Sequence, residues 1–344
     1  MIGGETLMKK LIDNVEDVVN DALEGFVWAF PEYLHRVPGT HVLVRKRPKA
    51  DGKVGIVSGG GSGHEPAHGG YVGYGMLDAA VSGEIFTSPT PDQILEGMRA
   101  AHHGQGVLLV IKNYTGDVLN FEIAQDLASD EGIETARVIV NDDVAVEDSL
   151  YTTGRRGIAG TVFVHKIAGA IAESGASLPA VQNGAQMVID NVRSMGFALA
   201  PCTVPQAGKP TFTLAETEME MGIGIHGEPG THRQDVKPAH ELAEFLLEQI
   251  AQDLKLEGGS HVACLINGMG ATPLIELAIL AKNVGTWLTA KQIAHDVVWM
   301  GEYMTSLEMA GASLTLLRLN EELRKWLHAP CDTPALRQGV GYDY

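Results

Sequence analysis

The chain has 344 residues, 45% of them hydrophobic and 20% charged, which is enough apolar material for one large core or two. A formal net charge of −18 argues against nucleic acid, which needs a basic face, and sits better with a neutral polyol or carbonyl compound than with a strongly anionic free substrate. Three cysteines (Cys202, Cys264 and Cys331) with no CxxC pair indicate neither a disulfide framework nor a thiolate zinc site. The first ten residues carry no apolar signal core and no window reaches the length of a membrane span, so a soluble cytoplasmic protein is expected.

Along the chain, residues 13–23 combine a capping residue, early acids and helical apolar spacing. Residues 42–46 and 54–58 read as strands, the second running into a glycine loop, and 76–81 is a further strand candidate. Thr90 and Pro91 supply a cap and a first-turn proline for a helix to about residue 102. A buried strand over 107–112 ends in Asn113-Tyr114-Thr115-Gly116-Asp117, followed by a helix over 118–128, a strand over 136–140 and helices over 159–173 and 179–194. In the second half, 197–202, 222–226, 262–267 and 314–319 read as strands, and 238–255, 273–281 and 321–327 as helices. The alternation predicts two α/β domains with central, mostly parallel or mixed sheets flanked by helices. The division is expected at 1–182 and 183–344, with the C-terminal tail packing back on the first domain.

Three strings carry chemistry. The run Gly59-Gly60-Gly61-Ser62-Gly63-His64-Glu65-Pro66-Ala67-His68 contains a His-Glu-x-x-His pattern that on a helix would aim two imidazoles at one zinc ion. Pro66 and the flanking glycines disfavour that helix, so no metal site is expected. The glycines make no dinucleotide fingerprint, because the sixth position is His64 counted from Gly59 and Pro66 counted from Gly61, and no Walker A loop follows. A tight turn without a ligand is the plainer reading. Position favours function: the loop leaves a strand end, where open α/β sheets bind ligands, and offers bare backbone N–H groups to a small oxygen-rich substrate.

Asp117 occupies a similar strand end. It can cap the next helix or present a carboxylate as a general base, with Lys112 orienting it or binding a substrate oxygen. In the run Gly222-Ile223-Gly224-Ile225-His226-Gly227-Glu228-Pro229-Gly230, glycines leave the His226 imidazole accessible. A structural histidine is the plainer reading; a neutral imidazole can also add to a ketone carbonyl as a reversible hemiaminal. His68 and His232 lack such a setting and read as supporting or surface residues.

These strings, in this order, closely resemble the substrate-binding subunits of the dihydroxyacetone kinase family. The resemblance runs through essentially the whole chain from about Met8, including Asn267-Gly268-Met269-Gly270, residues 305–313 and Ala329-Pro330-Cys331-Asp332. It implies dihydroxyacetone held on His226 as a hemiaminal, with contacts from Gly61, Ser62, Gly63, His64, Lys112 and Asp117. Asp117 would accept the proton of the attacking hydroxyl, and His64 would hydrogen-bond or assist as acid or base.

The resemblance also implies no cofactor in this chain. ADP or ATP and Mg²⁺ would belong to a small helical partner subunit, recharged by a multiphosphoryl donor protein fed from phosphoenolpyruvate. The chain ends without room for the helical nucleotide domain of single-chain members, so a stand-alone subunit, as a homodimer, is expected. Two other functions stay open: a non-catalytic ketone-sensing paralogue acting on a transcription regulator, and a kinase for a four-carbon ketose.

Overall fold

The computed structural model describes residues 9–49, 52–147 and 152–341. A first sheet is built from β1 (Leu34–Arg36), β2 (Val42–Arg45), β3 (Gly55–Ser62), β4 (Ala79–Ile85), β5 (Val107–Lys112) and β6 (Thr135–Val140), in the order β1-β2-β4-β3-β5-β6. Its β4-β3-β5-β6 portion is parallel, and β1 and β2 add an antiparallel edge. Helices α1 (Val18–Ala29), α2 (Pro91–Ala101), α3 (Thr115–Asp130), α4 (Thr161–Glu173) and α5 (Leu178–Asn191) accompany it. Strand β5 shows why the pattern is continuous rather than alternating. Val107, Leu109 and Ile111 pack against residues of α2 and α3, while Leu108 and Val110 face α4 and α5, so all six positions are buried.

The second sheet takes β7 (Val192–Ala200), β8 (Glu218–Met221), β9 (His232–Asp235), β10 (His261–Gly268), β11 (Ala294–Glu302) and β12 (Ala310–Arg318), in the order β11-β10-β12-β7-β8-β9. Only the β10–β11 pair is parallel. Helices α6 (Ala239–Leu254) and α7 (Leu274–Ala290) cover one face through a Leu-rich core, and α8 (Glu321–Leu327) packs on α4. Two mixed α/β layers flanked by helices are the predicted class. Among the described residues no helix is long and apolar enough to cross a membrane.

Several details differ from the sequence reading. The division at 182/183 falls inside α5, whose Val181, Ala185 and Val188 belong to the first core, and the chain changes sheet at Val192 without a linker. Residues 222–226 are no strand: β8 stops at Met221 and the chain turns, the Gly224 N–H donating to the Glu228 carbonyl at 3.1 Å. Gly59–Ser62, read as a loop, continues β3 and pairs with β4. Strand β11 was not predicted, because an edge strand of mixed Ala, His, Asp and Val shows no period-two pattern.

The halves are tied together. One hydrophobic cluster runs through Val110, Phe163, Leu265 and Met304, with Phe163 stacked on Trp299 at 4.9 Å. The C-terminal tail returns to the first half, where the Asp332 and Ala335 N–H groups donate to the Tyr74 and Gly70 carbonyls, both at 2.9 Å. Helix α4 is buried from Thr161 to Ala172, the mark of a helix enclosed on every side.

Candidate functional site

The ends of β3 and β5 and the turn after β8 meet at a cleft of about 760 Å³ lined by, among others, Gly61, Phe86, Tyr114, Asp117 and His226. The glycine string reaches it by close packing. A Cβ on Gly61 would lie 2.5 Å from the Thr87 nitrogen and 2.7 Å from the Phe86 Cα, so only glycine lets β3 pass this close to the segment after β4. Beyond the strand, the Gly63 carbonyl accepts from the Leu307 N–H at 2.7 Å and the His64 carbonyl from the Thr305 N–H at 3.2 Å. These bonds dock the loop on the second half.

His64 and His226, 162 residues apart, meet with their Nε2 atoms 3.1 Å apart. The His64 Nδ1–H donates to the Thr305 carbonyl at 2.8 Å, and its ring stacks on Phe86 at 5.2 Å. Burial first, then the fields of His226 and Lys112, push the His64 pKa well below that of an ordinary imidazole. On the other side, the Glu228 carboxylate accepts the His226 backbone N–H at 2.8 Å and lies 3.5 Å from its Nδ1. Burial alone would raise the Glu228 carboxyl, but the hydrogen bond and charge of His226 and the charge of Arg156 bring it down to about 2.

The turn makes this possible because Gly224 is bare: a Cβ there would sit 1.9 Å from the Glu228 carboxyl carbon. His226 therefore turns Nδ1 to a carboxylate and Nε2 to His64, with the Tyr114 ring edge-on at 4.5 Å. Since His64 Nδ1 is committed as a donor to the Thr305 carbonyl, its Nε2 is an acceptor, and two bare Nε2 lone pairs would oppose each other. The 3.1 Å contact is therefore made by a proton lying between the two Nε2 atoms.

Asp117 is the third residue of α3, in the first turn, where the helix dipole favours negative charge. It caps nothing, since no side-chain bond closes that terminus. Its Oδ2 lies 3.9 Å from the buried Lys112 ammonium, whose pKa burial lowers and Asp117 raises. Of the seven residues singled out in the sequence, Gly61, Asp117 and His226 line the cleft, and His64 reaches it through His226. Ser62, Gly63 and Lys112 lie behind the wall. The Ser62 hydroxyl donates to the Gly83 carbonyl at 2.7 Å, the Gly63 N–H to the Glu65 carboxylate at 3.1 Å, and the Lys112 ammonium to His68 Nε2 at 2.8 Å. His68 is thus buried in the interior, not at the surface, whereas His232 is exposed on β9.

Residues 24–335 match the Dak1 domain family. A protein of Listeria innocua called PTS-dependent dihydroxyacetone kinase 1, dihydroxyacetone-binding subunit DhaK, is 54% identical over 333 residues, 95% of this chain and 100% of that one. The chain belongs to the dihydroxyacetone kinase family. The crystal structure of the C. freundii dihydroxyacetone kinase superposes with a TM-score of 0.89 at 34% identity, covering 97% of this chain and 61% of the other. A dihydroxyacetone kinase operon co-activator, Dha-DhaQ, superposes with a TM-score of 0.87 at 34% identity, covering 93% and 98%.

Within this Dak1 site, sequence reasoning missed Glu228, Phe86, Tyr114, Asn267 and Thr305. Asn267 anchors the segment that carries the Thr305 carbonyl: its side-chain oxygen accepts from the Tyr303 and Met304 N–H groups, both at 2.9 Å, and its Nδ2 donates to the Met304 carbonyl at 2.8 Å. A lone amide closing the apolar run of β10 was a usable signal, as was a carboxylate two residues after His226. Phe86 and Tyr114 gave none.

Proposed function

We propose that this chain is the substrate-binding subunit of a phosphoenolpyruvate-dependent dihydroxyacetone kinase, binding its ketone covalently on His226. The observation that carries the reading is the His64–His226 contact at 3.1 Å beside a cleft whose wall holds Asp117. As the ketone enters, the shared proton passes to His64 and frees the His226 Nε2 lone pair. That pair forms the N–C bond, the carbonyl π bond opens, and its oxygen takes the proton from His64, giving a hemiaminal. The positive charge left on the ring faces Glu228, 3.5 Å from Nδ1. Asp117 then accepts the proton of the terminal hydroxyl as it attacks phosphorus.

Phosphoryl transfer depends on positioning and charge neutralisation, and an acidic chain is poorly equipped to supply the cations itself. A small helical ADP-bearing subunit, recharged by a multiphosphoryl donor protein, would bring nucleotide and metal, and this chain, as a homodimer, would bring the anchored hydroxyl. Covalent capture also sets specificity: glycerol offers similar hydroxyls but no carbonyl, so it cannot form the adduct.

Mass spectrometry of the chain with dihydroxyacetone tests the adduct, and the formation of dihydroxyacetone phosphate with the nucleotide-bearing partner tests the kinase. The likeness to the Dha-DhaQ co-activator supports a second reading, ketone sensing. Adduct without triose phosphate would favour that reading, and faster turnover of a four-carbon ketose would reassign the substrate.

A further inference from the structure

Helix α4 is enclosed on every side, yet it places His165 in its middle, away from the cleft. A polar ring buried there is costly unless partnered, and among the described residues only its Nε2 has a partner, Nδ1 having none. Its Nε2 lies 2.9 Å from His68 Nδ1; His68 Nε2 lies 2.8 Å from Lys112 Nζ; Lys112 Nζ lies 3.9 Å from Asp117 Oδ2. Four side chains from α4, the loop after β3, β5 and α3 thus form one line from the core to the cleft wall.

The line has a direction. An ammonium only donates, so beside Asp117 the Lys112 cation must donate its hydrogen bond to His68 Nε2, which leaves the His68 proton on Nδ1, aimed at His165 Nε2. The Ser58 hydroxyl donates to the Val110 carbonyl at 2.7 Å, so it is no donor to His68 Nδ1, and at 3.4 Å it is a more distant acceptor than His165 Nε2 at 2.9 Å. The opposite polarity requires a neutral amine at Lys112. Burial, followed by the Lys112 charge, keeps both imidazoles neutral, with His165 pushed down to about 3 and His68 well below its ordinary value. The charged or titratable groups facing this line are Asp117 from α3, Lys112 from β5, Tyr114 between them, His64 and His68 from the loop after β3, and Tyr71, whose ring lies 6.1 Å from that of His165.

We infer that His68 and His165 are positioning residues: a two-imidazole acceptor relay that holds the Lys112 ammonium, as a cation, against the carboxylate of Asp117. Lys112 then acts through Asp117 rather than on the substrate. This rests on the reading of Asp117 as the base.

The test is the pH dependence of turnover by the full chain with its nucleotide-bearing partner, using dihydroxyacetone, alongside adduct formation on His226. His68→Leu removes the acceptor. It is expected to retain the adduct, lower turnover, and move the acid limb up by roughly one pH unit or more, the effect of weakening a cation near a carboxylate. His68→Gln offers an amide oxygen to Lys112 and is expected to restore most of the limb. An unmoved acid limb in His68→Leu overturns the relay. If that variant does not fold, His165→Leu carries the same test: a smaller upward move supports the relay and an unmoved limb overturns it. Asp117→Asn separates the two failures. Turnover near the wild-type rate there removes the base reading, whereas a large loss there with an unmoved limb in the histidine variants removes the relay alone.

Discussion

Two histidine pairs of similar geometry stand in opposite electrostatic settings in this molecule. His64–His226 joins the two halves with Nε2 atoms 3.1 Å apart and borders a cleft. His68–His165 joins its rings at 2.9 Å wholly inside the first half. The difference lies in what stands behind each ring. A carboxylate, Glu228, stands behind His226, while an ammonium, Lys112, stands before the buried His68 and opposes a charge on it. On the proposed reading, the same side chain serves as a nucleophile or as an acceptor according to the sign of its neighbour.

Breaking the first pair has the largest expected effect. His226→Ala should abolish the adduct by mass spectrometry and lower turnover by about 10³-fold or more, as loss of a nucleophile does. Asp117→Asn should keep the adduct and lose roughly 10²–10⁴-fold in turnover, the range for a general base. Gly224→Ala drives a methyl group into the Glu228 carboxylate and should weaken dihydroxyacetone capture by about tenfold, the size of one charge-assisted hydrogen bond.

The second pair is sharpened by stability rather than by rate. With His165 at about 3 in the fold, below its ordinary value, the unfolded chain binds a proton that the native one rejects over the interval between them. Stability should therefore fall as pH drops below about 6.5, by about 1.4 kcal/mol per pH unit for each such histidine. Urea unfolding of His165→Leu at several pH values should show that slope reduced by about one proton. The exposed His232 is the control, and His232→Ala should change stability by less than about 0.5 kcal/mol and leave the adduct intact.

How much of this could be read beforehand follows from the range of each signal. Strand β5 and helix α2 were legible because their information is local: an apolar run with both faces covered, and a cap followed by proline. His226 and His64 were legible only as members of strings, since nothing near either residue announces a partner 162 positions away. The string around Gly59–His68 misled in one respect. Its glycines looked like an open backbone cradle, yet they continue β3, and Ser62 and Gly63 spend their hydrogen bonds on Gly83 and Glu65. Lys112 was legible in part: its place beside Asp117 was one of the two readings, but burial by α4 and the His68 loop is a tertiary fact that a strand-end lysine does not advertise. The turn at 222–226 was taken for a strand because isoleucine and glycine alternate there, while the reason for the alternation is the Glu228 carboxylate folded over Gly224.

Helix α4, closed in on all sides, has a consequence for how the molecule comes apart. Its covers are the first sheet, α5, α8 and Trp299, so both halves and the C-terminal tail contribute to sealing it. Its amides should exchange with solvent only through global opening, while those of the β9 edge exchange by local fraying. A chain cut at Val192 would leave this helix with a bare apolar flank. The two sheets are therefore one cooperative unit, and the histidine contact across them is as durable as the fold itself.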